Sequence, residues 1–486
     1  MRTGSRHVPP AACLVVACWA AAIAGQQPAA APTGARSDTI RLPFDTYTLP
    51  NGLTVILSAD HATPTVAVEV WYHVGSKNEL PGRTGFAHLF EHVMFTGSGH
   101  APYGLYDKLT GGIGGSNNGT TSHDRTVYYE TVPANYLEAE LWLEADRMGY
   151  LLDTLDLAKL NTQRDVVKNE RRQSVDNQPY GRAQEILSHA TYPPTHPYSW
   201  DIIGSMDDLS AASEDDVKSF FRLYYAPNNA VLSIVGDFDP AQARTWIANY
   251  FGDFARGKAV ARPIVEPVTA AAEQRLVYED RVEIPRLYVQ WPTVGEQNDD
   301  RFALEILGAM LTGPRTARLT KALVYDQQAA AAVLARQSSN EDGGEFLLAI
   351  TPRPGHSLTD LELAADAIVD RLKSDGPTAE ELQKATAGTE LGFIRGLESN
   401  LGKADRLADG AGLHGDPGYF RTEYEKSLAV TAADVKRVAN TYLTRGRVVL
   451  SIVPAGQLNQ ASKPGESKKV ASLGDAAARA RPGAER

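Results

Sequence analysis

In a chain of 486 residues, Gly85-Phe86-Ala87-His88-Leu89-Phe90-Glu91-His92-Val93-Met94-Phe95 concentrates side chains able to do chemistry. His88 and His92 are four apart, a spacing that stacks them on one face of a helix, one turn apart. Two imidazoles so placed can close on one metal ion, with Glu91 on the same side of the helix. Phe86, Leu89, Phe90, Val93 and Met94 supply apolar faces that bury such a helix and hold the polar groups rigidly. The order His-x-x-Glu-His is the inverse of the commoner zinc-site order His-Glu-x-x-His. Zinc suits the chemistry, because two imidazoles and a carboxylate leave a fourth position for water, whose pKa falls to about 7. Glu91 has the wrong spacing for a third ligand and is placed to take the water's proton as general base.

A helix of this kind needs a scaffold, and the surrounding pattern supplies one. Tyr47-Thr48-Leu49, the turn Asn51-Gly52 and Leu53-Thr54-Val55-Ile56-Leu57 read as strand, hairpin turn and strand. Val66 to Tyr72 is a further strand leading into the motif helix, and a turn rich in glycine (Gly111, Gly112, Gly114, Gly115) follows it. Asn118 to Glu130, rich in Thr, Val and Tyr, reads as one strand; Tyr136–Leu152 and Asp156–Asp176 read as helices, the second carrying Glu170. Residues 214–225 form a helix entering the strand Ala230–Val235.

The ends of the chain differ from its body. Arg2 and Arg6, the apolar run Ala11–Ile23 and the small-x-small site Ala22-Ile23-Ala24 make residues 1–24 a secretory signal peptide, with a lipoprotein at Cys18 the weaker alternative. Cys13 and Cys18 both lie inside it, so the mature chain has no disulfide and no thiolate ligand. The expectation is an exported protein, periplasmic or secreted, with no transmembrane span in the mature chain. Residues 25–40 are a Pro/Ala-rich linker, and 457–486 lack periodicity and read as a disordered tail. The net charge of −11 argues against nucleic acid as a partner.

The second half repeats the first. Asp216–Val235 lies on Asp434–Val453 without a gap, nine of twenty positions identical, including Val-Leu-Ser-Ile-Val. The motif helix maps onto the segment around Phe302, Ala303, Met310, Thr312 and Gly313, where His88, Glu91 and His92 become Leu304, Leu307 and Gly308. A copy that keeps the apolar scaffold and discards the three polar residues points to chemistry in the first half alone.

Gly85–Gly97 resembles the zinc-site helix of the insulinase/pitrilysin metallopeptidases, which bind one zinc per catalytic site. In that family a glutamate on a downstream helix is the third ligand; the segment Gln163 to Glu170 is similar, so the resemblance implies that His88, His92 and Glu170 bind zinc. Asn118-Gly119-Thr120-Thr121 to Tyr129 resembles the family's cleft-edge strand, where Asn118 and Gly119 would pair with substrate backbone. His196-Pro197-Tyr198 resembles a further turn of the family. The resemblance covers roughly residues 40–455 and is closest to the two-domain, processing-peptidase type. It implies an α+β fold of two homologous domains, each an antiparallel β-sheet covered by α-helices. The boundaries are 41–257 for the zinc-bearing domain, 258–275 for a linker and 276–456 for the domain without zinc.

Two positions depart from the family pattern. Where a second glutamate supports the site, this chain has Gln163, which can orient a neighbour but adds no charge. Where self-sufficient members carry an Arg and a Tyr that polarise the substrate carbonyl, this chain has Val324 and Ala331; Arg318 and Tyr325 fall one turn too early. That pattern resembles the zinc-bearing subunit of heterodimeric members, whose paralogous partner has the Arg/Tyr pair and no zinc. The expected function is a zinc endopeptidase subunit acting on peptides or unfolded segments in a closed chamber; a non-catalytic scaffold subunit is the alternative.

Overall fold

Strand pairing in the computed structural model, which describes residues 40–262 and 264–470, gathers the chain into two six-stranded sheets. The first contains β1 (Asp45–Thr48), β2 (Thr54–Ala59), β3 (Thr65–Tyr72), β4 (Ser116–Thr121), β5 (Thr126–Pro133) and β6 (Ala230–Gly236), in the order β1-β2-β6-β3-β5-β4. The second contains β7 (Gln274–Asp280), β8 (Arg286–Thr293), β9 (Ala330–Asn340), β10 (Gly343–Pro352), β11 (Val448–Pro454) and β12 (Lys468–Lys469), in the order β12-β7-β11-β8-β10-β9. The repeat seen in the sequence is therefore a repeat of topology, with β6 and β11 in equivalent central places.

Both sheets are mixed rather than purely antiparallel. β2 pairs with β6 and β7 with β11 in parallel, while the other long pairs are antiparallel. A parallel pair needs a long crossover, and here each crossover is the body of a whole half-chain. The central strands are buried on both faces, which is why Val66–Tyr72 and Val231–Val235 are almost continuously apolar. On one face of β3, Val66, Val68, Val70 and Tyr72 enter the first core. On the other, Trp71 meets a helix of the second half, Asn400–His414, donating from its indole to Asp409 at 2.8 Å. The exchange is reciprocal: the first half's helix α5 (Ala183–Thr191) packs Ile186 and Leu187 on Tyr288, Leu450 and Ile452 of the second sheet.

Four further helices position the site: α1 (Phe86–Val93), α2 (Leu105–Gly112), α3 (Leu137–Thr154) and α4 (Leu157–Arg171). The glycine-rich turn expected at 111–115 starts inside the end of α2. Asn118–Glu130 is not one strand but a hairpin, β4 and β5 joined by Ser122-His123-Asp124-Arg125. No glycine, proline or asparagine marks that turn; the Ser122 hydroxyl closes it by accepting the Asp124 and Arg125 N–H groups, and Asp124 ties it to distant parts of the chain. The disordered tail expected from 457 is corrected in part, because Leu458–Gln460 form a 3-10 turn and Lys468–Lys469 pair with β7. Between Phe251 and Gln274 the described residues form no helix or strand; the linker was expected at 258–275, and β7 begins inside that range at Gln274. The signal segment, Cys13, Cys18 and residues 471–486 lie outside the described residues. Among the described residues, no helix is long and apolar enough to cross a membrane.

Candidate metal centre

Helix α1 starts at Gly85, whose φ of +89° favours glycine; a Cβ there would also stand 2.8 Å from the Ile203 carbonyl oxygen. The buried carboxylate of Glu79 caps the helix, accepting the N–H groups of Gly85 and Ala87, each at 2.8 Å. Burial pushes the Glu79 carboxyl well up, and those backbone donors oppose the rise. Phe86, Ala87, Leu89, Phe90 and Val93 sink into the first core, and Phe90 stacks on Phe220 at 5.9 Å. With that face fixed, His88, Glu91 and His92 emerge on the opposite one, toward α4.

α4 brings Glu170 to the two histidines. His92 Nε2 lies 3.0 Å from Glu170 Oε2, and His88 Nε2 lies 3.7 Å from Oε1. One ligand atom from each of the three residues falls within 4.8 Å of the others, the one such cluster among the described residues. The imidazole rings stand 4.8 Å apart, nearly perpendicular, so their lone pairs can converge without the rings clashing.

The electrostatics match the geometry. Burial, aided by neighbouring His92, pushes His88 down to about 4, so its imidazole is neutral at ordinary pH, the form that donates a lone pair. The hydrogen bond from His92 holds the Glu170 carboxyl below its usual range, keeping it ionised. Two imidazoles and a carboxylate facing one point are the donor set that suits zinc. The Nδ1 of His88 is buried without a hydrogen-bond partner among the described residues.

Glu91 is the fourth group. Burial pushes its carboxyl up, and the Thr121 hydroxyl, donating to Oε2 at 2.6 Å, opposes that rise. Thr121 closes β4, the edge strand of the first sheet, so the strand and the carboxylate are tied together. Asn118 and Gly119 lie on that strand, Asn118 exposed and Gly119 buried. A Cβ on Gly119 would come 2.9 Å from Glu91 Cγ, which is why β4 passes so close to α1 only at a glycine. The Gly119 N–H is taken by the side chain of Asn118 at 2.9 Å. Gln163 sits on α4 two turns before Glu170, half-buried. Glu79, and the bond of Thr121 to Glu91, escaped the sequence reading because they depend on contacts across 6 and 30 positions that no local spacing records.

In the second half, the places of the absent Arg/Tyr pair fall elsewhere. Val324 packs against the second core, and Ala331 lies exposed on β9. Arg318 is fully engaged, donating to both oxygens of Glu381 at 2.7 and 2.8 Å and to the Gly376 carbonyl.

The chain is similar to known proteins over most of its length. The family model described as Insulinase (Peptidase family M16) matches residues 54–198, and that described as Peptidase M16 inactive domain matches residues 211–388. The chain is 30% identical to zinc protease PqqE of Helicobacter pylori, over 82% of its own length and 90% of that protein. It is 24% identical to the mitochondrial-processing peptidase subunit beta of Blastocladiella emersonii, over 84% of this chain and 88% of that one. The crystal structure of a protease from Helicobacter pylori superposes with a TM-score of 0.79 at 28% identity, covering 85% of this chain and all of that one. The chain belongs to the insulinase family of peptidases, M16.

Proposed function

We propose that this protein is a zinc endopeptidase that hydrolyses peptides or unfolded polypeptide segments, working as the zinc-bearing subunit beside a paralogous partner. The observation that carries the reading is the convergence of His88, His92 and Glu170 with Glu91 adjacent on the same helix. His88, His92 and Glu170 would hold the metal, one per chain. A zinc ion there supplies Lewis acidity toward the scissile carbonyl. Glu91 takes the proton of the attacking water and returns it to the leaving amine. Its partly desolvated carboxyl is a stronger base than an exposed one. The free edge of β4 lines up an extended substrate by backbone pairing, next to Glu91.

The partner follows from what this chain lacks. Negative charge builds on the carbonyl oxygen during hydrolysis, and losing one donor to it typically costs a factor of about 10² to 10³. Val324 and Ala331 donate nothing, and Arg318 is committed to Glu381. The relative named as a processing-peptidase subunit supports an assembly of this kind. Residues 1–24 support export as the setting.

Glu91→Gln tests the reading. The variant is expected to keep its zinc and to lose hydrolysis of an internally quenched peptide. Loss of zinc instead would make Glu91 a ligand and move the base elsewhere. The isolated chain is expected to be nearly inactive and to gain activity with its partner; equal rates from the chain alone would remove the two-subunit part.

A further inference from the structure

We propose that Asp124 and Tyr198 are positioning residues through which the C-terminal half holds the edge strand β4 over Glu91. The inference rests on the reading of β4 as the substrate strand, and it adds residues that lie outside the metal centre.

β4 is poorly equipped to hold itself. It has six residues, Ser-Asn-Asn-Gly-Thr-Thr, pairs on one side only, and contains the residue types least favoured in strands. Its position must therefore be set at its ends. The end next to Glu91 is the turn Ser122-His123-Asp124-Arg125, in which the Ser122 hydroxyl accepts the Asp124 and Arg125 N–H groups at 3.1 Å each. That turn is held from outside at several points, Arg125 on Asp409 of the helix Asn400–His414 at 3.2 Å among them.

From the first half, Ser76 N–H donates to the Ser122 carbonyl at 3.1 Å and Lys77 N–H to the His123 carbonyl at 2.9 Å. From the His196-Pro197-Tyr198 turn, the Tyr198 hydroxyl donates to Asp124 Oδ1 at 2.7 Å. From the second half comes the tip of the β9–β10 hairpin. The Glu341 N–H donates to Asp124 Oδ2 at 2.9 Å, and the Asp342 N–H donates to the Tyr198 oxygen, also at 2.9 Å. Asp124 and Tyr198 are 6% and 1% exposed, so these bonds face little competition from water.

Charge reinforces the contact. Lys77 lies 3.1 Å from Asp124 and 3.2 Å from Asp342, and the Glu341 carboxylate meets both Lys77 and His73. The Tyr198 hydroxyl is the joint of the network, since its one proton goes to the first-half turn while its lone pair takes the second-half N–H. Three residues before Asp124, the Thr121 hydroxyl contacts Glu91. A displacement of the turn is thus delivered to the strand and to the base. This gives the second half, which lacks the zinc residues and the Arg/Tyr pair, a part in the site within the same chain.

Tyr198→Phe removes the joint and leaves the ring among His123, Tyr192 and His196. Hydrogen exchange read by mass spectrometry on the full chain is expected to show about tenfold faster exchange at 116–125, with α1 and α4 unchanged and zinc retained. KM for an unfolded peptide is expected to rise about tenfold with kcat changed less. Asp124→Asn keeps one acceptor oxygen and sets an amide NH2 against a second donor, so it should lose part of the protection that Asp124→Ala loses in full. Should Tyr198→Phe not fold, Asp124→Ala replaces it, since it removes the acceptor of both the Tyr198 hydroxyl and the Glu341 N–H, with the same direction expected at 116–125. Unchanged exchange at 116–125, or a loss spread evenly over the first half, overturns the proposal. So does altered exchange without any change in KM. The exchange result stands whether or not the wild type cleaves peptides, so an inactive wild type counts against the proposed function and not against the latch.

Discussion

Removing the Thr121 hydroxyl probes how the edge strand serves the base. Thr121→Val keeps the side-chain shape and deletes the bond to Glu91 Oε2, which is 2.6 Å long and half-buried. Hydrogen bonds to charged groups contribute about 1.5–3 kcal/mol. Partial exposure puts this one at the lower end, and a loss of about 1.4 kcal/mol from the transition state is a tenfold fall in kcat. The same donor lowers the Glu91 pKa, so its loss leaves the carboxyl protonated to higher pH. The acid limb of kcat/KM is therefore expected to move to higher pH, with zinc content and melting temperature nearly unchanged. Kinetics on a quenched peptide with the partner present, paired with elemental analysis, makes the measurement. An unaltered kcat and an unshifted acid limb would refute the coupling of β4 to Glu91.

Gly119→Ala places a Cβ 2.9 Å from Glu91 Cγ and 3.3 Å from Tyr128 Cδ1, so kcat is expected to fall about a hundredfold with zinc retained; activity near wild type would show that β4 can retreat without consequence. Glu140 is fully buried beneath Thr110, and burial raises its carboxyl from 4.5 to about 7. The folded chain therefore holds a proton that the unfolded chain releases near 4.5, and stability is lost as pH rises from there through about 7. At about 1.4 kcal/mol per pH unit the cost is on the order of 3 kcal/mol at pH 8. Glu140→Gln avoids it and is expected to melt several degrees above wild type at pH 8 and close to it near pH 4.5, a difference that thermal scans at the two pH values would expose or deny.

Much of this architecture is legible in the chain. The four-residue spacing of His88 and His92 and the apolar positions between them specify α1, because the same periodicity that turns Phe86, Phe90 and Val93 into the core turns the ligands to the other face, toward α4. The repeat of Val-Leu-Ser-Ile-Val reads directly as β6 and β11. What stays hidden depends on contacts distant in sequence. The turn Ser122–Arg125 carries a weak local signal, the Ser122 hydroxyl accepting two backbone N–H groups, and its place is set by Tyr198 and Glu341. The tail strand is two lysines, Lys468 and Lys469, given order by the edge of β7. The helix Asn400–His414, which the sequence reading did not single out, lies flat on β3 and β6 through its small residues Ala404, Ala408 and Gly412.

The central claim is that residues on α1 and α4 form one zinc site, and metal content tests it most directly. Elemental analysis of the purified full chain is expected to give about one zinc per chain. Glu170→Ala, which removes the ligand that α4 contributes and leaves the α1 helix intact, is expected to lose most of that zinc while remaining folded. A Glu170→Ala variant that keeps a full equivalent of zinc, or a wild type that binds none when zinc is supplied, would contradict the account.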